Sequence, residues 1–99
     1  MKAVTVVFNV AIEDDVLGVL RRVGVHHFTQ WPRIVGKGSV SGPRMDNHVW
    51  PGANAALLAI VDDATATRLM DALQALRDSP AGKQAGVYAY QSPVERTLT

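Results

Sequence analysis

What most limits the fold of this chain is the order of its periodic segments. Residues 2–10 alternate Val4, Val6, Phe8 and Val10 on one side with Ala3, Thr5, Val7 and Asn9 on the other, the two-residue period of a strand rich in β-branched side chains. Glu13, Asp14 and Asp15 then place negative charge where a helix has its positive end, and Val16, Leu17, Val19, Leu20 and Val23 recur at helical spacing. Arg21 and Arg22 suit the last turn of that helix, and Gly24 predicts its stop. Residues 25–35, with Phe28, Thr29, Trp31, Ile34 and Val35, read as a second strand that Pro32 confines to a sheet edge or a bulge. Residues 55–61 form a compact apolar run, the third strand. Asp62 and Asp63 offer N-caps to a helix carrying Ala66, Leu69, Met70, Leu73 and Leu76 on one stripe and ending near Pro80. Residues 86–91, with Val87, Tyr88 and Tyr90, predict the fourth strand, and residues 92–99 a loosely held tail.

The order is βαββαβ, the split arrangement of the ferredoxin-like α+β sandwich: a four-stranded antiparallel sheet with two helices on one face. The 99 residues suffice for one such domain and leave no room for a second core. The first and third strands are apolar on both sides, whereas two short helices can cover only one. The uncovered face needs a partner that the chain does not contain, which predicts a homo-oligomer.

Composition excludes several function classes. With no cysteine there is no disulfide framework, thiolate nucleophile or cysteine-ligated metal, and a cytoplasmic address is expected. Ten basic against nine acidic residues give no bulk field for nucleic acid or anionic lipid. At 47% hydrophobic and 19% charged residues the chain is too apolar for disorder, and no apolar run has the length for membrane insertion.

Chemistry is confined to a few stretches. The connection of residues 39–54 is far longer than a hairpin loop and holds Arg44, His48, Trp50 and Asn54. An indole on a loop is costly to expose, so Trp50 should pack on a neighbouring subunit, a ligand or a partner. Gly36, Lys37 and Gly38 lead into this loop, and two glycines flanking a lysine let backbone N–H groups and an ammonium approach an anion. A second glycine-lysine turn, residues 80–86 with Gly82 and Lys83, has the same chemistry, and in a symmetric oligomer the two could share a cleft for phosphate or carboxylate. His26, His27 and His48 are the imidazoles available to a divalent metal or as a base; neighbours in a strand point to opposite faces, so His26 and His27 cannot both ligate one ion, and the metal candidate is His48 at a subunit junction, with Asp46 or a symmetry mate. No Ser, His and carboxylate grouping is nominated by spacing, and the paired aspartates Asp14, Asp15 and Asp62, Asp63 read as helix capping.

The whole layout of residues 2–91 resembles the PII-like signalling proteins. The resemblance is carried by the opening strand, the acidic helix start Ile12, Glu13, Asp14, Asp15, Val16, the phrase Arg21, Arg22, Val23, Gly24, Val25, the Gly36, Lys37, Gly38 entry into a long loop, and Ile60, Val61, Asp62, Asp63 leading into the second helix. It implies a non-enzymatic homotrimer that binds adenine nucleotides or other small effectors between subunits and reaches a partner protein through the long loop of residues 39–54, the T-loop of that family. The chain differs from the family pattern with Ser39 and Val40 after the glycine pair and Ala53 near the start of the third strand, where a basic residue, a glutamine and a lysine are expected. The tract His48, Val49, Trp50, Pro51, Gly52, Ala53, Asn54 marks a distinct subgroup whose loop recognises another effector or a metal. Two other readings stay open: a cation-tolerance type of trimer using His48, and a small ferredoxin-like monooxygenase or isomerase using His26, His27 or His48 as a base.

Overall fold

The computed structural model describes residues 1–38, 42–44 and 52–99. Strand β1 (Lys2–Asn9) leads through a 3-10 turn into helix α1 (Glu13–Val23). Strand β2 (Thr29–Ile34) follows, then the short strands β3 (Gly36–Gly38) and β4 (Gly42–Arg44), strand β5 (Asn54–Val61), helices α2 (Asp63–Asp78) and α3 (Pro80–Ala85), and strand β6 (Val87–Pro93). The main sheet has the order β2-β5-β1-β6 with antiparallel neighbours, which is the ferredoxin-like topology; β3 and β4 pair with each other as a separate hairpin.

The core lies between this sheet and the helices. Val4, Val6 and Phe8 of β1 and Leu57 of β5 are at most 1% exposed and pack with Val16, Val19 and Leu20 of α1 and Leu69 and Leu73 of α2. Each large side chain buried this way contributes about 1.5–3 kcal/mol. The helices start and stop where local chemistry directs. Gly24 takes φ 93°, its N–H donates to the Leu20 and Arg21 carbonyls, and Val25 N–H donates to Leu20 at 2.8 Å. Asp62 accepts the Thr65 N–H at 2.7 Å, a side-chain N-cap for α2. In α1 the cap position is Ile12, without a side-chain bond, so Glu13, Asp14 and Asp15 act through the charge of the first turn rather than as caps.

Four boundaries differ from the sequence reading. The second strand begins at Thr29, because the chain leaves α1 through the Gly24 cap and Val25 turns inward; the residues from Val25 to Phe28 are outside any strand. Pro32 lies where the sequence reading puts it, in an edge strand, and the register shifts between Trp31 and Ile34. Within the stretch read as one long loop, residues 42–44 pair back on residues 36–38, and Asn54 already belongs to β5. Within the stretch 80–86, Pro80–Ala85 form a helix rather than a glycine-rich turn: Ser79 caps it through a hydroxyl that accepts the Gly82 N–H at 3.1 Å, and Pro80 occupies its first position. Strand β6 runs through Pro93, two residues into the expected tail, and Val94 N–H donates to the Met1 carbonyl at 3.1 Å.

Alternation leaves one side of the sheet without helices. The β-ladders align Trp31, Ala56, Val7 and Tyr88 in one row and Thr29, Leu58, Thr5 and Tyr90 in the next. On this face Trp31 is 46%, Ile60 45%, Tyr88 58% and Tyr90 50% exposed. The two tyrosine rings stack with centroids 6.4 Å apart. No helix of the described residues is long and apolar enough to cross a membrane.

Candidate functional site

One end of the sheet gathers segments that are distant in sequence. Asn9, the last residue of β1, pairs in register with Asn54 at the start of β5, and Asn54 pairs in turn with Ile34 at the end of β2. Asn9 N–H donates to the Gly86 carbonyl at 3.3 Å, and Val10 N–H donates to the Ala53 carbonyl at 3.1 Å. The end of the α3 segment and the return of the long loop are therefore both fastened to residues 9 and 10. The Asn9 carboxamide accepts the Ala11 N–H at 2.9 Å and so fixes the turn that carries these two anchors.

The β3–β4 hairpin rises from this end, with Lys37 opposite Pro43 and Gly36 opposite Arg44. Gly36 lies over Asn54: a Cβ placed on it would stand 3.7 Å from Asn54 Nδ2. Lys37 is exposed, and so is Lys83 on α3. Both belong to segments tied to the same sheet end.

The predicted residues separate into groups. Gly36, Lys37 and Gly38 form one strand of the hairpin, Arg44 stands in the other, and Asn54 lies at its foot. Lys83 belongs to α3, where its backbone N–H donates to Ser79 at 2.9 Å and leaves the ammonium as its polar contribution. Gly82 is buried, with its N–H engaged by the Ser79 hydroxyl and its carbonyl accepting from Gly86, so it offers no open backbone donor to an anion. His48 and Trp50 lie outside the described residues. His26 and His27 are exposed between α1 and β2. Among the described residues no three His, Asp or Glu side chains converge as a metal site. A groove of about 160 Å³ between α2 and β6, lined by Met70, Leu73, Arg77 and Tyr88 among others, contains neither His26 nor His27. Asn9 escaped the sequence reading, although an Asn that follows a strand and precedes a turn is the signal for such a side-chain cap. Ser79-Pro80, an N-cap followed by a first-turn proline, likewise marks α3.

The family model described as nitrogen regulatory protein P-II matches residues 1–98. The chain belongs to this family. Among solved structures it is similar to a PII-like signalling protein from Thermus thermophilus, at 27% identity and TM-score 0.62, covering 92% of this chain and 83% of that one. It is also similar to CPII, a nitrogen regulatory PII-like protein from Thiomonas intermedia whose structure holds ADP, AMP and bicarbonate, at 21% identity and TM-score 0.69, covering 96% and 88% of the two chains. The apo form of CPII matches at 18% identity and TM-score 0.64, covering 97% and 92%. The CPII likeness speaks for the P-II fold alone. No curated protein matches the sequence.

Proposed function

We propose that this P-II family chain is a non-enzymatic, trimeric signalling protein of the cytoplasm. In this reading it binds a small anionic effector, an adenine nucleotide or bicarbonate, in clefts between subunits, and meets a partner protein through residues 39–54. The observation that carries the effector half is the fastening of the hairpin foot and of α3 to one sheet end through Asn9 and Val10, with Lys37 and Lys83 both exposed. Lys37 and Lys83 attract and orient the anion, Gly36 and Gly38 keep the hairpin backbone open to it, and Gly82 serves by setting α3 in place. The assembly half is supported by the helix-free sheet face, whose apolar and aromatic rows are too large to leave in water without a purpose. Effector binding beside the hairpin changes the order of the loop that begins there, and Arg44, His48 and Trp50 supply its contacts. The ligands held by the CPII structures belong to the chemical class that two lysines and open backbone suit.

Thermal denaturation with ADP, ATP, bicarbonate and divalent metals tests this. A ligand at 100 times its Kd stabilises by about 2.7 kcal/mol. Silence toward every one of them removes the effector half, a response to metal alone moves the assignment to the cation-tolerance reading, and a monomeric mass at micromolar concentration removes the assembly half.

A further inference from the structure

Asn54 opens β5 between Asn9 of β1 and Ile34 of β2, and the alternation along β5, with Ala55, Leu57 and Ala59 buried against the helices, turns its side chain to the other side of the sheet. Its Oδ1 is buried and accepts no hydrogen bond from any described residue. Gly36 brings no side chain to it, and the Asn9 oxygen, which could not donate in any case, accepts the Ala11 N–H. Buried acceptors are almost always satisfied, because leaving one unpaired opposes folding. For folding alone an apolar side chain of similar size would serve better here, so the carboxamide calls for a use outside the free chain.

We propose that Asn54 reads the effector: its carboxamide oxygen accepts a hydrogen bond from an N–H or O–H group of a small molecule bound at the foot of the β3–β4 hairpin. The proposal rests on the effector reading above and deepens it by naming the recognised group. Oδ1 is buried in the free protein, so a ligand reaches it only as its surroundings shift; the Cβ position of Gly36, 3.7 Å from Asn54 Nδ2, puts the foot of the hairpin beside the same carboxamide. A carboxamide oxygen selects for a donor. The exocyclic amine of adenine and the hydroxyl of bicarbonate both qualify, whereas nitrate, with the planar shape of bicarbonate, has no hydrogen to give.

The test compares the wild-type chain with Asn54→Leu, Asn54→Ala and Asn54→Ser, by thermal melting of the free proteins and by calorimetric titration with ADP, bicarbonate and nitrate. The better folded of the Leu and Ala variants is expected to melt no lower than the wild type, since each removes an unsatisfied acceptor. Its affinity for the donor-bearing probe falls roughly three- to tenfold, the loss of one hydrogen bond, and Asn54→Ser, which restores an acceptor, recovers part of it. A loss confined to ADP assigns the donor to the adenine amine, and one confined to bicarbonate assigns it to the hydroxyl. Lower melting of both variants, unchanged affinities, or an equal loss for nitrate overturns the proposal while the effector reading stands. A wild-type chain that binds neither ADP nor bicarbonate overturns both.

Discussion

Gly82 lies so close to the end of α2 that a Cβ on it would stand 1.9 Å from the Leu76 carbonyl oxygen and 2.9 Å from the Arg77 Cα. Both obstacles are backbone, which cannot swing aside as a side chain can. Any side chain here must therefore lift α3 from α2. Gly82→Ala is expected to destabilise by at least about 1–3 kcal/mol, the range of overpacking in a filled interior. Urea denaturation measures it, and an unchanged midpoint would show that α3 rests on α2 more loosely than the structure describes.

The same movement reaches the sheet end, because Gly86, at the far end of α3, accepts the Asn9 N–H. Gly82→Ala should thus also weaken whatever effector the protein binds, although its own amide faces Ser79. Titration under conditions where the variant remains folded separates this effect from stability.

Leu69 of α2 is fully buried in the core. Leu69→Ala removes its contacts and leaves a cavity, which is expected to destabilise by about 2–5 kcal/mol. Effector affinity per folded molecule should stay unchanged, since Leu69 belongs to the layer between sheet and helices rather than to the sheet end.

Two carboxylates give the protein an acid-sensitive margin. The Thr65 backbone and side chain hold Asp62 below the ordinary carboxylate value of 3.8, and the N-terminal ammonium, 2.7 Å from Asp63 Oδ1, lowers Asp63 likewise. A carboxylate whose folded value is depressed adds stability above its unfolded value, and that stability is lost as pH falls through the folded value. Melting temperature should therefore decline as pH drops below about 4. Asp62→Asn, which keeps an acceptor for Thr65 without the charge, should flatten that decline.

Tyr88 and Tyr90 stack on the helix-free face, and a charge there has no water to turn to once that face is covered. Tyr90→Glu is expected to reduce the proposed trimer to monomers with secondary structure intact, read by light scattering and circular dichroism. An unchanged mass would mean that the subunits meet elsewhere.

Much of this fold is legible along the chain because its determinants are local. The two-residue period of β1, the helical stripes of α1 and α2, Gly24 as a left-handed cap and Asp62 as an N-cap each act within a turn or two of backbone. The order of these elements then restricts the sheet to few topologies, and the double-sided apolarity of β1 and β5 announces the bare face. Lys37 and Lys83 are also visible as cations beside glycines, but the glycine next to Lys83 misleads: Gly82 looks like an open turn, whereas it is small because α3 presses on Leu76. That reason, the convergence of Gly86 and Ala53 on Asn9 and Val10, and the Asn54 oxygen that no described residue pairs belong to the tertiary structure. A hydrogen bond's partner, or its lack of one, is fixed by which distant segments packing brings within about 3 Å, and no periodicity along the chain encodes that distance.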